Sequence, residues 1–405
     1  MNNNPSFYSI IEQLLLSGVS LALNLLFVFF ADKESFGQFS VLNSYLILIL
    51  GIQSALISVP LLVEFPSINK GSKNENLKAA NTLLLLCAVV VGFISFIAVL
   101  LVCNSGHISL AIAFSLAAFA GMLREFTRVI NIIKGENLKS LSLSILYSVL
   151  LAIACGLLVF FSKGKVTEFA VFIILAFSAL IVSIPSVLSL RFSTQLAEIN
   201  DVAQRIIPHA KWAFPGVVVV WLQNNAYLTF INIKFGASIA AELAAARLLI
   251  MPYMTMVSGY TRILVKKYSL ALKDYSLSDV AAQSKPIILL QIMIGFSLAV
   301  LFFLLHFINE SLLLIKKYPN IFYIGMFWAL FSGFASARGV LSILIQSGKM
   351  FRQLFFYGLI SLFVMLASFC VVYFYESPIL IVLGLTLAEG ALLWVLWKNG
   401  LQYEK

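Results

Sequence analysis

The sequence predicts an all-α polytopic membrane protein of about 12 transmembrane helices in two pseudo-symmetric six-helix bundles. Two features of the composition predict this class: 61% of the 405 residues are hydrophobic and 11% are charged, whereas about 25% are charged in a soluble domain. A globule of this length cannot bury so much apolar surface, because polar groups must cover what faces water. Soluble enzymes, secreted domains and nucleic-acid-binding proteins are therefore excluded.

The apolar residues lie in runs that reach the roughly 20 residues needed to span a bilayer. These runs predict spans at 9–30, 38–63, 79–103, 108–132, 141–161, 168–190, 212–233, 238–261, 286–308, 321–346, 353–375 and 379–397. The intervening loops are too short to form a soluble domain. The four cysteines and three histidines have no metal-ligand spacing, so no metal site, cofactor or catalytic group is predicted.

The basic residues predict the orientation, because Lys and Arg collect in cytoplasmic loops. With both termini inside, 19 of the 27 Lys and Arg residues fall in inner segments and 6 in outer loops, while Arg247 and Arg338 lie within spans. The sequence therefore predicts cytoplasmic N- and C-termini and an even number of spans. The net charge of +10 then reflects topology and implies no nucleic-acid partner.

The two halves of the chain resemble each other. The fourth and tenth predicted spans both begin with Phe-small-Gly. Each carries an arginine, Arg124 or Arg338, about a dozen residues before a closing glycine, Gly135 or Gly348. A duplication of six helices predicts parallel repeats related by an axis along the membrane normal. The predicted domains are an N-terminal bundle at 1–190, a cytoplasmic amphipathic linker at 191–211 and a C-terminal bundle at 212–405. Within the linker, Pro208 is predicted to end the amphipathic helix.

Arginines within the spans are candidate substrate-binding residues, because an ionised group inside a membrane is costly and calls for a functional hypothesis. Arg247 lies near the predicted midplane, and Arg338 and Arg124 lie in the inner halves of their spans. For Arg247 the alternative is a structural ion pair with Glu242 or Glu389.

Three glutamates are candidates for ion coupling. Glu389 lies near the midplane, Glu12 near the inner end of the first span, and Glu242 nearer the outer surface. Glu389 is predicted either to titrate a proton or to serve as the counter-ion of Arg247.

Three consecutive amides, Gln223, Asn224 and Asn225, occupy the centre of the seventh span. They cover about 200° of a helix, so at least one should face a wet cavity or another helix. Plain inter-helical hydrogen bonding is the alternative. Pro215 and Pro252 flank the amides and Arg247 and are predicted to bend their helices, as Pro60 is in the second span.

Two long stretches carry a resemblance to a known family: FGQFSVLNSYLILILGIQSALISVPLLV at 36–63 and KWAFPGVVVVWLQNNAYLTFINIKFGASIAAELAAARLLIMPYMTMVSGYTRIL at 211–264. With the twelve-span plan, they resemble the bacterial polysaccharide (O-antigen type) flippases of the multidrug/oligosaccharidyl-lipid/polysaccharide exporter (MOP) superfamily. The resemblance covers nearly the whole chain, but it lies in spacing and texture.

The resemblance implies two bundles in a V around a central cavity that opens alternately to each side. The cargo would be an oligosaccharide on undecaprenyl diphosphate, moved between leaflets of the bacterial cytoplasmic (inner) membrane with H⁺ or Na⁺ coupling. Membrane lipids, a polysaccharide polymerase and a chain-length regulator are implied partners. Cavity arginines would pair with the diphosphate, and amides would contact sugar. Spans 1 to 3 lack the early basic residues of related lipid II flippases, and those proteins' two extra C-terminal helices are absent, which disfavours lipid II.

Two rivals remain. A cation-coupled multidrug exporter of the same superfamily would need an acidic cavity. The charges in the spans are nearly balanced, so their count does not decide between this exporter and a polysaccharide flippase. A membrane glycan polymerase or glycosyltransferase would generally need acceptor-binding loops or soluble domains, and the sequence predicts neither.

The basic asymmetry generates a labelling prediction. In a background without native cysteines, single cysteines at Lys165 and Ser35 should react with an impermeant thiol reagent added outside intact cells. Cysteines at Ser72 and Asp274 should react only after lysis. Labelling of Ser72 from outside would overturn both the orientation and the span count.

Overall fold

The computed structural model describes residues 5–64, 73–102, 108–162, 165–308, 316–348 and 350–398. Ser72 lies outside these ranges. The described residues fold into α-helices at α1 Pro5–Phe30, α2 Lys33–Gln53, α3 Val59–Glu64, α4 Lys73–Val102, α5 Ile108–Ile133, α6 Asn137–Phe161, α7 Glu168–Ser189, α8 Leu196–Phe235, α9 Ala237–Leu248, α10 Met251–Ala271, α11 Leu277–Ile308, α12 Ile321–Ser347, α13 Phe351–Tyr375 and α14 Ile379–Lys398. The predicted all-α class is confirmed.

Ten helical stretches in the described chain are long and apolar enough to cross a membrane, and the bent pair α9 and α10 makes an eleventh. The seventh predicted span lies in α8, whose apolar part contains the three amides. The twelve-helix plan fits this set of helices.

Two of the three prolines singled out in the sequence coincide with helix irregularities. A π-helical segment, Ser54–Ser58, joins α2 to α3 immediately before Pro60, because a proline ring clashes with the carbonyl of the preceding turn. Between α9 and α10 the axis bends by 54°, and Pro252 is the second residue of α10, where the missing N–H costs no helical bond. The eighth predicted span is therefore a broken one.

The third, Pro215, lies inside α8, and this helix corrects one expectation. The sequence pattern predicts that the linker helix ends at Pro208, but α8 runs unbroken through Pro208 and Pro215. Val202, Ile206 and Ala210 are all buried in one apolar cluster with residues of α4 and α5. Because this cluster anchors the turns on both sides of Pro208, the helix tolerates the loss of one backbone hydrogen bond.

The chain divides into two compact units, Met1–Val218 and Val219–Lys405. In the first unit, α5 makes its largest interfaces with α4 and α7; in the second, α12 makes its largest interfaces with α11 and α14. These are the third, fourth and sixth spans of each half, so each unit is built around its fourth helix. The V-shaped arrangement around a cavity stays a prediction.

In the second unit the central helix packs very closely on its neighbour. A Cβ atom added to Gly295 of α11 would lie 2.6 Å from the Cα of Gly333 in α12. Only glycine allows this approach, in keeping with the small residues found where membrane helices pack. The Phe-small-Gly motif noted in the tenth span therefore marks a helix contact.

Candidate functional site

Arg247 lies in the last turn of α9, directly before the break that leads into α10. The unpaired carbonyl groups at a helix C-terminus carry partial negative charge, which favours a cation there. The preceding turn is held by the buried Trp328 of α12, whose indole Nε1 donates a 3.0 Å hydrogen bond to the carbonyl of Leu243. The break and this brace position the arginine.

The guanidinium of Arg247 is held by neutral groups. Its Nη1 donates a 2.9 Å hydrogen bond to the carbonyl of Asn224 and reaches the Asn225 Oδ1 and the Tyr227 hydroxyl at 3.5 Å each. Its Cζ lies 5.3 Å from the ring centroid of Trp328 and 5.8 Å from that of Tyr227, within cation–π range. Among the described residues it bonds no carboxylate, and the Nη2 and Nε atoms make no hydrogen bond.

The three amides of α8 have different roles. Gln223 is buried, and its Nε2 donates a 2.8 Å hydrogen bond to the carbonyl of Gly358 in α13. Asn224 donates to the Val220 carbonyl of its own helix, while Asn225 is partly exposed and lies against Arg247. The predicted proximity of Arg247 to this polar stretch is confirmed. For Gln223, the alternative of inter-helical hydrogen bonding, rather than exposure to a wet cavity, is the one observed.

Arg338 and Glu389 form an ion pair between α12 and α14. The Nε of Arg338 donates to Oε2 of Glu389 at 2.6 Å, and Nη2 donates to Oε1 at 3.3 Å. The carboxylate is 3% exposed and the arginine side chain 24%. Two parallel N–H donors to one carboxylate make a pair of the stronger, charge-assisted kind. Glu389 is thus the partner of Arg338 and makes no ion pair with Arg247.

Glu242 is buried in α9, five residues before Arg247. Burial raises the pKa of the Tyr318 phenol, which precedes α12, and the nearby Glu242 carboxylate raises it further. Glu242 therefore lies near Tyr318, in the segment that leads into α12, and in the described part of the chain its carboxylate forms no salt bridge with Arg247.

The first unit has its own charged cluster. In α5, Arg124 and Arg128 bind Glu125 at 2.6 and 3.0 Å. Glu12 of α1 is 3% exposed, and the Nε of Arg128 lies 3.3 Å from its Oε1. Arg124 also lies over the ring of Tyr147 at 4.2 Å. Both arginines are therefore compensated by carboxylates, unlike Arg247.

The Oε1 atom of Glu12 also accepts hydrogen bonds from two hydroxyls of α6, at 2.9 Å from Ser140 and 2.6 Å from Ser144. These serines line a cavity of about 20 Å³ together with Thr127 and Asn131. The Thr127 hydroxyl and the Asn131 amide nitrogen are buried without a hydrogen-bond partner. A polar space of this size holds about one water molecule.

A larger cavity of about 170 Å³ lies in the same unit between α1, α2, α5, α6 and α7. Arg124, Tyr147 and Asn43 contribute its main polar groups, and apolar side chains line most of the rest. Arg124 and Tyr147 line both spaces. The two cavities thus share Arg124 and Tyr147 and together extend from the neighbourhood of Glu12 to Asn43.

Sequence reasoning missed the residues that surround each charge. Tyr227 follows the amides by two positions and could have been noticed, but Trp328 lies about eighty residues from Arg247 and carries no local signal. Ser140 and Ser144 are four apart, on one helix face, yet nothing in the sequence places that face against Glu12.

The Arg338–Glu389 pair generates a stability prediction. Arg338→Met or Glu389→Met alone should destabilise the fold by about 3 kcal/mol, because each leaves an uncompensated charge in low dielectric. The double variant Arg338→Met/Glu389→Met should recover most of the loss, measured as melting temperature of the purified protein.

The exposed pair Lys139–Glu136 supplies the control, since Lys139→Ala should change stability by less than about 1 kcal/mol. A stable Arg338→Met protein that has lost transport would instead identify Arg338 as a ligand.

No protein-family model and no curated protein matches the chain, but solved structures do. A lipid II flippase, MurJ, in its inward closed conformation, superposes with a TM-score of 0.73 at 14% identity, over 97% of this chain and 86% of that one. A multidrug resistance MATE family transporter of the MOP superfamily gives 0.61 at 13% identity when inward-facing, over 98% of this chain and 96% of its own. An outward-facing structure gives 0.57 at 12% identity, over 96% and 92%. The chain shares the fold of these transporter structures.

Proposed function

We propose that the protein is a lipid-linked oligosaccharide flippase of the bacterial cytoplasmic membrane. It moves glycan repeat units on undecaprenyl diphosphate from the inner to the outer leaflet by alternating access. The observation that carries this proposal is Arg247: a half-buried guanidinium in a broken span, fixed through Nη1, with no carboxylate partner among the described residues. A second donor edge remains for an anion.

The chemistry of the cargo fits this arrangement. A diphosphate offers several anionic oxygens, and a guanidinium can bind two of them through parallel N–H donors. Asn225 and the aromatic rings of Tyr227 and Trp328 lie beside the guanidinium. The amide supplies hydrogen bonds of the kind a sugar uses, while the rings orient the cation.

The fold supports a transport function, but it does not identify the substrate that is transported. Structures with this fold include a lipid II flippase and MATE transporters in inward- and outward-facing conformations. Against a multidrug exporter for cations, two of the three candidate carboxylates, Glu12 and Glu389, are already paired with arginines. A cationic drug would have to displace those arginines, whereas an anion meets Arg247 directly.

The partner proteins follow from the cargo. A flipped glycan repeat unit requires a polymerase on the outer leaflet and a factor that sets chain length, so a polysaccharide polymerase and a chain-length regulator are the proposed partners. The basic asymmetry of the sequence supports the proposal that both termini lie in the cytoplasm.

Arg247→Ala should insert and fold normally, since its Nη1 bonds only neutral acceptors and its loss leaves no carboxylate uncompensated. Binding of undecaprenyl diphosphate to the purified protein should weaken about 10- to 100-fold, the range of a charged hydrogen bond. Surface glycan should be lost in a bacterial strain whose glycan export depends on this protein. Arg247→Lys should keep partial function, because it retains a point charge.

The control is Arg352→Ala, an exposed arginine at the start of α13, which removes the same charge and should leave binding unchanged. A stable Arg247→Ala protein with full binding and full glycan export would contradict the proposal. So would an equal loss of binding in both variants.

Coupling to H⁺ or Na⁺ is assigned to Glu12. Its carboxylate is held by two hydroxyls and by one offset arginine nitrogen, so protonation could release Arg128 while the serine contacts persist. Glu389 is bound by two aligned donors of one arginine, so its proposed role is to hold α12 and α14 together.

Glu12→Gln keeps an acceptor for Ser140 and Ser144 but removes the charge. In proteoliposomes we expect cargo to bind while transport no longer responds to an imposed pH gradient, or to a Na⁺ gradient if Na⁺ is the coupling ion. Glu389→Gln is the comparison, and its main effect should be on stability. Unaltered gradient dependence in Glu12→Gln, with loss in a well-folded Glu389→Gln protein, would transfer the role to Glu389.

A further inference from the structure

A groove of about 410 Å³ lies on the second unit between α11, α12 and α14. Its wall is almost wholly apolar and includes Leu289 of α11, Phe334 of α12 and Trp394 of α14. Leu289 and Trp394 are more than half exposed. The volume falls within the roughly 300–1,000 Å³ of small-molecule sites. None of the site residues discussed above lines this groove.

The groove is basic at one end only. Lys285, at the mouth, has its Nζ 5.4 Å from the ring centroid of Trp397, and Lys398 has its Nζ 5.2 Å from that of Trp394. Both lysines are exposed. The cation–π contacts hold two ammonium groups beside the two tryptophans. No acidic residue is among the described residues that line the groove.

The opposite end lies deeper in the bilayer. Gly390 is eight residues before Lys398 on α14, which is about 12 Å along the axis at about 1.5 Å per residue. Because glycine has no side chain, the groove continues past this position to the ring of Phe334, 3.9 Å from where a Cβ would lie. The site therefore has a cationic, tryptophan-framed mouth at a helix end and an apolar channel directed toward the membrane interior.

We propose that this groove binds an anionic phospholipid of the surrounding bilayer. The headgroup phosphate pairs with Lys285 and Lys398, and one acyl chain lies along Leu289, Phe334 and Gly390. The charge distribution selects this occupant: basic pockets between membrane helices attract anionic lipid headgroups, and tryptophan favours the interface between headgroups and acyl chains. A free phosphate would satisfy the lysines but leave the apolar channel empty.

The test uses the full chain in nanodiscs of equal phosphatidylglycerol and phosphatidylcholine, released for native mass spectrometry. The wild type should retain phosphatidylglycerol preferentially. Lys285→Ala and Lys398→Ala should each reduce its retention about fivefold, the attraction of one basic residue for an anionic lipid, and the double variant about 25-fold. Lys134→Ala/Lys139→Ala, two exposed lysines of the first unit, is the charge-matched control and should retain it fully.

Gly390→Leu should fill the channel and reduce retention of both lipids, whereas Gly390→Ala, whose Cβ makes only ordinary contact with Phe334, should not. If Gly390→Leu fails to fold, Trp394→Ala is used instead; it removes part of the wall of the groove and should also reduce lipid retention. Equal retention of the two lipids, or groove variants that behave as wild type, would overturn the proposal. Displacement of the retained phosphatidylglycerol by inorganic phosphate alone, or by undecaprenyl diphosphate, would also overturn the proposal. So would a second copy of the chain that displaces the lipid from the groove and that Gly390→Leu dissociates.

Discussion

An ionised side chain inside a bilayer must be compensated, and this constraint organises the polar interior of the protein. The surrounding medium cannot solvate the charge, so a carboxylate, a carbonyl, an aromatic face or a ligand has to do so. Arg124, Arg128 and Arg338 are compensated by carboxylates. Arg247 is compensated by a backbone carbonyl and two aromatic rings. That difference in partner sets Arg247 apart from the other three arginines and is the basis of the proposal that it binds an anion.

The helix breaks serve the same constraint. Arg247 lies in the last turn of α9, which ends at Leu248, and the chain turns by 54° before α10 begins. A straight span would leave no unpaired carbonyl groups beside the guanidinium and would bring no partial negative charge to it. Irregular backbone within a membrane is tolerated where protein or a polar cavity satisfies it. The break is therefore part of how the arginine is stabilised.

The sequence was sufficient for most of the fold and for part of the site. Hydropathy located the spans because every backbone polar group in a bilayer must be bonded within a helix, and Pro252 marked the broken span. Hydropathy could not show that α8 passes through Pro208, since the cluster that holds it is formed by α4 and α5. Counting charges in the spans did not decide between anion and cation, because the choice depends on pairing. Glu389 pairs with an arginine 51 positions away, and no periodicity reveals that distance.

Each unit is built around its own fourth helix, α5 or α12, but the charges in the two units are compensated differently. In the second unit, Arg338 of the central helix is paired with Glu389 of the unit's sixth span. Arg247, which has no carboxylate partner among the described residues, lies in the eighth predicted span of the chain. In the first, the acids and bases of α1 and α5 meet beside two cavities, where buried Thr127 and Asn131 lack partners. These polar atoms can hold a water molecule beside Glu12, whereas both oxygens of Glu389 are bound by the guanidinium of Arg338. The proposed anion binding therefore rests on Arg247 in the second unit, whereas the proposed ion coupling rests on Glu12 and the polar atoms around it in the first.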